Sequence, residues 1–407
     1  MSTTVTDVRP RRWAAVAGSQ AARERTTRRR VGLAWGLLVL NAMTFYGSAL
    51  HIPSAVGKLI TQGALPLALI VALSANRRLI VRPNVFCCLV TLLVAEAFLT
   101  TLQPQHFGTI YRTFRFAEFT VGLWLLTPWW GRRDLLLVRC HLIALTAALG
   151  SVVLGLLIMP GRALSGGRLG GVLWDIPATE VAHYSAVIAG SMVVLWLGGM
   201  VRSRLTLYAA VAGIAMILLS HTRTALVAMV AALLIAGLNL IMARARVRRF
   251  FASAGVIVSI GIMTAGSVAA TWLARGQNAQ ELASLTGRTD FWSMVLNLPR
   301  DKFQEIFGFG LSNGSVNGLP IDSSWLVAYL EQGLFGVVVC VIILLFLLVA
   351  AFFQHASTRR ALALFLITYS LIASFTQVGF VNPTTYLLEL TLAASLLMPP
   401  AAASPTS

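Results

Sequence analysis

The chain has 407 residues, of which 57% are hydrophobic and only 11% charged, and its formal net charge is +18. An average soluble domain has about 25% charged residues, so this composition excludes an ordinary soluble protein. Repeated apolar runs of about 20 residues instead indicate a polytopic membrane protein. The cysteines lie inside such runs, and their spacing is typical of neither disulfides nor a metal site (Cys87, Cys88, Cys140, Cys340).

The first 30 residues contain eight Arg and no apolar run, which predicts a disordered basic tail. This tail is not a cleavable signal, because the hydrophobic stretch after it is long and has no small-residue cleavage pattern. Residues 31–400 are predicted to form a single transmembrane domain, followed by a short tail at 401–407. Its twelve predicted helices are 31–50, 58–75, 84–101, 109–128, 135–158, 181–199, 205–220, 223–242, 250–272, 324–353, 360–378 and 384–399.

The distribution of charge supports this count of helices. If the basic tail is cytoplasmic and the helices alternate, 22 of the 32 Lys and Arg residues fall in inside segments. Each internal inside loop then carries at least two Arg, so the positive-inside rule predicts twelve spans with both termini in the cytoplasm. The basic excess sets the orientation and contacts anionic lipid, so a nucleic-acid partner is not needed to explain it.

Two outside loops are long enough to form a site, one at 159–180 and the other at 273–323. The second is polar, then amphipathic, then rich in Gly and Asn, and it is predicted to contain short amphipathic helices. We interpret it as the loop that forms the active site of a membrane enzyme, since functional residues concentrate where loops and polar side chains meet helix ends. No outside loop has an Asp-x-Asp pair, and the outer histidines lack ligand spacing, so no metal or other cofactor is expected.

Ten basic residues are placed outside or within the membrane, against the orientation rule. Because Arg on the outer side opposes the predicted topology, an anionic ligand is the simplest reason to keep it there. The ten residues are Lys58, Arg112, Arg115, Arg162, Arg168, Arg223, Arg275, Arg288, Arg300 and Lys302.

Arg223 is the sharpest candidate among them. It follows the tight turn Ser220–His221–Thr222 and lies in the first turn of a helix, where N–H groups and the positive dipole end favour phosphate. The alternative to phosphate binding is an Arg that extends to lipid headgroups.

Arg288 follows TG at the start of an amphipathic helix. The alternative to a functional role is an exposed ion pair with Asp290.

Arg112, Arg115 and Glu118 share one helix face at a spacing of three. They either contact a ligand or form an internal pair between Arg115 and Glu118. Glu96 and Glu389 are single acids within membrane helices, which are costly there and usually face a cavity.

Asp322 precedes the helix that follows the large loop. It either caps that helix or acts as a general base at the membrane surface. Glu331 follows nine residues later, half a turn off at 100° per residue, and is expected to fix packing with Gly333 and Gly336.

Several short motifs occur in a defined order: TRTALVA, TGR, IFGFG and DSSWLVAYLEQGLFG, preceded by RLGGVLWDIPATEVAHYSA at 168–186. In this order and spacing they resemble the O-antigen ligase and polymerase superfamily of bacterial envelope enzymes, over most of residues 160–340. The resemblance implies a fold like that of the membrane-embedded C-type glycosyltransferases. It implies transfer of a glycan from an undecaprenyl-pyrophosphate-linked oligosaccharide to a hydroxyl of a glycan or lipid acceptor. The reaction would be inverting and metal-independent, on the outer side of the bacterial cytoplasmic membrane.

By this resemblance Arg223 and Arg288 would hold the pyrophosphate, and Asp322 would activate the acceptor. The ligases have a His-Asn pair where this chain has Asp322–Ser323, which moves the expectation from ligation to lipid A core toward polymerisation or another acceptor. Further contacts to pyrophosphate or glycan are expected from Arg112, Arg115, Arg168 and His221.

Two other functions are compatible with the sequence. An exporter or flippase of lipid-linked anionic glycans would use the same outer Arg residues, but it also needs a polar path, and the inner halves of the helices are mostly apolar. A non-catalytic scaffold of an envelope machine is the second alternative.

Overall fold

The computed structural model of the protein describes residues 9–43, 47–48, 53–102, 107–241, 245–254, 256, 288–312, 315–316 and 319–399. Its first half consists of helices α1 (Arg9–Ala42), α2 (Ser54–Ala75), α3 (Val85–Thr100), α4 (Phe107–Leu126), α5 (Leu136–Ile158) and α6 (Pro160–Ala163), with 3-10 turns at Thr127–Trp129 and Ser165–Gly167. The second half consists of α7 (Ala178–Leu197), α8 (Ser203–Ser220), α9 (Arg223–Ile241), α10 (245–254), α11 (Arg288–Leu296), α12 (Lys302–Phe307), α13 (Ser324–Phe353), α14 (Thr358–Ala373) and α15 (Thr385–Leu397).

These helices overlap all twelve predicted segments, although for 250–272 only the start, within α10, lies among the described residues. The predicted short helices of the large loop correspond to α11 and α12, and the one strand pair described joins Ser315–Val316 to Leu319–Pro320. Asp301 caps α12 by accepting a hydrogen bond from the backbone N–H of Gln304 at 2.7 Å.

Six of the described helices are long and apolar enough to cross a membrane: α2, α5, α7, α8, α9 and α13. Apolar side chains on their outer faces are more than half exposed, including Leu207, Val211 and Phe352. Surfaces of this kind are stable against lipid tails and costly against water. The chain is therefore a membrane-embedded helical protein, while the crossing of the membrane by all twelve predicted helices stays a prediction.

Helix α1 begins at Arg9, well inside the tail that the sequence predicts to be disordered. Glu24 accepts hydrogen bonds from Arg28 one turn later, at 2.9 Å, and from Arg132 at 3.1 Å, and Asp134 pairs with both guanidinium groups. The bond from Arg28, followed by that from Arg132, holds the pKa of Glu24 below its ordinary value. These ion pairs join the polar part of α1 to the loop before α5, and they give a physical reason for helix in this part of the tail.

Arginines at one end of the bundle donate to backbone carbonyls where helices finish. Arg82 donates to Trp130 O at 3.0 Å, Arg246 to Trp196 O at 2.9 Å, and Arg359 to Leu396 O and Met398 O at 2.8 and 2.9 Å. Cations are favourable there, because the last carbonyls of a helix have no partner within it and carry partial negative charge. These basic residues thus stabilise helix ends in addition to any role in orientation.

A buried acid, Glu389, joins the helices at the centre of the bundle. Its Oε1 lies 2.9 Å from Nε2 of His183 and 3.8 Å from Nε2 of His141, and all three side chains are almost completely buried. The Tyr369 hydroxyl lies 3.1 Å from Nδ1 of His183, and the Trp35 indole donates to Nδ1 of His141 at 3.3 Å. This set, which we call the Glu389 network, connects α1, α5, α7, α14 and α15.

The carboxylate of Glu389 is predicted to stabilise the folded protein. Replacing it in Glu389→Gln removes the negative charge that faces the two imidazole rings and leaves His183 a weaker acceptor in a completely buried site. An unsatisfied buried polar group costs about 1–3 kcal/mol. We expect a lower midpoint of thermal unfolding in detergent than for the wild type. The control is Glu305→Gln, which changes an exposed acid of α12 and should leave the midpoint unchanged. Equal midpoints for the two variants would contradict a stabilising role for the network.

Helix α13 is broken at Gly333, whose backbone has φ 61° and ψ −160°. The break releases the carbonyls of Leu330 and Glu331, which accept hydrogen bonds from the N–H groups of Phe309 and Gly310, both at 2.9 Å. In a membrane protein every backbone polar group needs such a partner, so the IFGFG segment of the loop satisfies the interrupted helix. A Cβ atom on Gly333 would lie 2.3 Å from the carbonyl oxygen of Ile306.

Gly333→Ala is therefore predicted to destabilise the protein by about 1–3 kcal/mol, because it forces a non-glycine residue into a strained conformation and a clash. Thermal unfolding in detergent would show this as a lowered midpoint. Gly63→Ala is the matched control, since a Cβ at this helical position meets no atom within 4 Å. A Gly333→Ala protein as stable as Gly63→Ala would show that the break in α13 does not depend on glycine.

Candidate functional site

A cavity of about 500 Å³ opens where α1 ends and where α7, α13 and α15 begin. This is the end of the bundle opposite the arginines that cap helix termini. Its wall contains three of the predicted site residues, Arg112 and Arg115 from α4 and Asp322 from the segment before α13. The two arginines and Asp322 are more than 200 residues apart in the chain, and the fold brings them to one space.

Arg115 lies in this wall with its guanidinium carbon 5.9 Å from the centre of the Tyr111 ring. Its Nε is buried and has no hydrogen-bond partner among the residues that the structure describes. Glu118 and Arg115 are both described, and no ion pair joins them, so the predicted internal pair is not observed. Arg112 lies on the same helix, with a guanidinium nitrogen 3.3 Å from the position of a Cβ on Gly108. Two cations therefore line one side of the cavity.

Asp322 is exposed, and its side chain lines the cavity. The N-cap position of α13 belongs to Ser323, so Asp322 does not occupy the capping position that was its structural alternative. The start of α13 is fixed by the backbone N–H of Ser324, which donates to the carbonyls of Ser374 and Gln377, both at 2.9 Å. These bonds fix the backbone next to Asp322 and so keep its carboxylate at the start of α13.

Glu331 lies behind the wall of this cavity. It is completely buried and accepts hydrogen bonds from the backbone N–H and the hydroxyl of Ser312, at 2.9 and 2.8 Å, and from the amide of Asn382 at 3.1 Å. Ser312 and Asn382 line the cavity. The packing role predicted for Glu331 is thus supported, through contacts that fix two polar residues of the wall.

Glu180 is an acid of the wall for which sequence reasoning proposed no role. It lies in the first turn of α7, and its Oε2 accepts a hydrogen bond from the Tyr184 hydroxyl at 2.7 Å. It lies within the motif at 168–186, and its local pattern is an acid four residues before a tyrosine at the start of a mostly apolar helix.

The wall also contacts the Glu389 network. Tyr386 lines the cavity and stacks on His183 with ring centroids 4.0 Å apart, and the Thr385 hydroxyl lies 3.2 Å from Nε2 of His183. The network therefore supports the floor of the cavity. Glu389 and Glu96, the two acids expected to face a cavity, are not in its wall, and the buried Glu96 oxygens have no hydrogen-bond partner among the described residues.

Three other predicted residues form a second group at the turn between α8 and α9. His221 lies in this turn with φ 50°, and Arg223 is the first residue of α9, as the sequence predicts. Arg168 donates to the carbonyl of Ser220 at 3.0 Å and to the hydroxyl of Thr222 at 3.3 Å. Arg168 thus holds the turn that precedes Arg223. None of the three lines the 500 Å³ cavity.

The remaining outer cations differ in role. Helix α11 begins at Arg288, whose side chain lies outside the described residues, as does all of Arg275. Arg300 donates to the carbonyls of Tyr329 and Val295, at 3.0 and 3.2 Å, and its guanidinium lies 4.0 Å from the centre of the Tyr329 ring. Arg300 therefore fastens the large loop to α13, a structural reason for this outer cation.

The described residues include no group of three or more His, Cys, Asp or Glu side chains arranged to hold a metal ion. Neither a comparison with protein-family models nor a search of curated proteins found a match for the chain. The functional inference therefore depends on the chemistry of the site itself.

The cavity is predicted to bind pyrophosphate through its arginines. Arg115→Gln and Arg112→Gln should each weaken this binding about 10- to 100-fold, because a charge-assisted hydrogen bond contributes about 1.5–3 kcal/mol. The affinity of the purified protein in nanodiscs for inorganic pyrophosphate can be measured calorimetrically. Arg162→Gln, an exposed outer arginine that does not line the cavity, is the control and should bind as the wild type does. Equal affinity in all four proteins would place the anion elsewhere.

Proposed function

We propose that this protein is a membrane glycosyltransferase that moves a glycan from an undecaprenyl-pyrophosphate carrier to an acceptor hydroxyl. The observation that carries the proposal is one cavity, at the end of a membrane-embedded bundle, with two arginines and two carboxylates in its wall. Glycan transfer from a lipid diphosphate needs cations for the leaving group and an acceptor of a proton, and both are present. The resemblance to the O-antigen ligase and polymerase superfamily supports the same reaction.

The arginine side of the cavity suits the diphosphate. When the bond to the sugar breaks, negative charge grows on the leaving pyrophosphate, and fixed guanidinium groups stabilise that charge without reorganisation. The buried Nε of Arg115 supplies a donor for which the described residues offer no acceptor. A bound phosphate oxygen would satisfy it.

The other polar residues of the cavity wall suit the sugars. Side chains of Asn41, Gln377 and Asn382 line it together with the carboxylates of Asp322 and Glu180. Amides and carboxylates are the groups that accept and donate hydrogen bonds to sugar hydroxyls. Asp322, which is exposed at the start of α13, would receive the incoming acceptor.

The turn between α8 and α9 provides a second position for an anion in this proposal. Arg168 holds the turn, and Arg223 follows it at the start of α9, where the helix N-terminus adds donors of its own. Arg223 and Arg288 would bind the diphosphate as the family resemblance implies, with Arg112 and Arg115 acting from α4.

The proposed location is the bacterial cytoplasmic membrane, with the cavity on the outer side. The basis is the separation of charge, since arginines gather at the end of the bundle opposite the cavity. The acidic residue Asp322, in place of the histidine of the ligases, favours a polymerase-like acceptor.

The proposal of an enzyme rather than an exporter is supported by the aromatic rings next to the cavity. Tyr386 of the wall stacks on His183, and His183 stacks on Tyr369, at centroid distances of 4.0 and 5.4 Å. A polar path across the membrane would need an opening at this level.

The experiment that tests the proposal uses the purified protein in nanodiscs with an undecaprenyl-pyrophosphate oligosaccharide and an acceptor glycan. We expect release of undecaprenyl pyrophosphate in step with an extended glycan, at a rate that falls more than about 10-fold in Arg115→Gln. Arg162→Gln is again the control. Movement of intact lipid-linked glycan between leaflets, without release, would identify an exporter. If neither release nor movement is observed, the non-catalytic scaffold remains as the function.

A further inference from the structure

The carboxylate best placed to take a proton in the cavity is Glu180, which lies within the motif at 168–186 but was given no role from the sequence. We propose that Glu180 is the catalytic base that accepts the proton of the acceptor hydroxyl, and that Tyr184 is the positioning residue that orients it. This inference rests on the proposed glycan transfer, and it moves the role of base from Asp322 to Glu180.

The position of Glu180 is determined by a buried helix. Glu180 lies in the first turn of α7, and Val181, Ala182 and Tyr184 around it are completely buried. The Tyr184 hydroxyl donates to Oε2 at 2.7 Å, so one carboxylate oxygen is held in place. The bond to Tyr184 involves Oε2 and not Oε1, and Glu180 lines the cavity.

This geometry is what a general base requires. A base works when it lies within hydrogen-bond reach of the proton that it removes and when neighbouring groups fix its rotamer. Asp322 lies on a segment between the loop and α13 and is exposed, so water competes for its carboxylate. We therefore assign Asp322 to binding of the acceptor sugar.

The charges around Glu180 are arranged for the reaction. Arg112 and Arg115 line the same cavity from α4, so a diphosphate bound to them and an acceptor beside Glu180 occupy one space. On the far side of Tyr184, the same helix presents His183 to Glu389 at 2.9 Å. Helix α7 thus places one acid–hydroxyl pair at the cavity and anchors itself in the interior through the Glu389 network.

The proposed step balances in bonds and protons. The acceptor oxygen forms a bond to the anomeric carbon while its proton passes to Oε1 of Glu180. The bond from the anomeric carbon to the phosphate oxygen breaks, and its electron pair stays on undecaprenyl pyrophosphate, where the guanidinium groups neutralise it. The proton then leaves Glu180 for water, and the carboxylate is restored.

The test compares Glu180→Gln with Asp322→Asn in nanodiscs, using the wild-type chain as reference. Transfer is measured as release of undecaprenyl pyrophosphate, and binding of the lipid-linked oligosaccharide is measured separately in the absence of acceptor. We expect Glu180→Gln to lower kcat at least about 100-fold, as for loss of a general base, with donor affinity unchanged. Asp322→Asn should raise the KM for the acceptor and keep kcat within about 10-fold.

Tyr184→Phe tests the positioning role. Loss of the hydrogen bond should lower kcat about 10-fold without changing the KM of donor or acceptor, since the carboxylate is still present but less well oriented. Tyr208→Phe, on the exposed face of α8, is the control. A change of KM instead of kcat in Tyr184→Phe would overturn the positioning role.

The outcomes separate the two proposals. If the wild type binds the donor but releases no undecaprenyl pyrophosphate, the proposal of glycan transfer is wrong. The assignment of Glu180 as its base is then wrong as well. If the wild type is active and Glu180→Gln keeps its kcat within threefold while Asp322→Asn loses it, only the assignment of Glu180 is wrong. Should Glu180→Gln not fold, Glu180→Asp replaces it, because it retains a carboxylate that is too short for the Tyr184 bond. Wild-type kcat in that variant would overturn the proposal.

Discussion

The fold depends on how one buried carboxylate is satisfied. Glu389 lies where no water can reach it, and an ion in such a place is costly unless it is paired and hydrogen-bonded. His183 and His141 provide the partners, and Tyr369 and Trp35 set the ring nitrogens that face away from Glu389. Because the donors come from different helices, the network specifies one arrangement of helices that are otherwise apolar and could slide against each other.

The same arrangement forms the cavity. Once α7 and α15 are joined through His183 and Glu389, their first turns lie side by side, and these turns carry Glu180 and Tyr386 into the wall. The segment just before the broken helix α13 also contributes to the wall, through Ile321 and Asp322. The interruption of α13 at Gly333 lets the loop at Phe309 and Gly310 pair with it, and Glu331 then binds Ser312 and Asn382. Polar residues from distant parts of the chain are thus held by backbone and carboxylate bonds behind the cavity.

Sequence reasoning predicted the helices and single site residues, but it did not predict their grouping. Apolar runs of about 20 residues are a local signal, so most helix positions agree with the structure. Arg112, Arg115 and Asp322 were each noticed for their own surroundings, whereas their common cavity depends on the packing of distant parts of the chain, which no local spacing encodes. Glu180 was missed because an acid near a helix start is ordinary. Only the Tyr184 bond and the cavity, both products of packing, distinguish it.

The arginines at the two ends of the bundle have different surroundings. At one end Arg82, Arg246 and Arg359 donate hydrogen bonds to carbonyls at helix ends that would otherwise lack partners. At the cavity Arg115 keeps a buried Nε for which the described residues supply no acceptor, and such a donor is costly unless a ligand meets it. An unpartnered Nε is not particular to this end, since that of Arg359 is buried without a partner among the described residues as well. What distinguishes the cavity is that Arg115 shares one wall with Arg112 and with the carboxylates of Glu180 and Asp322.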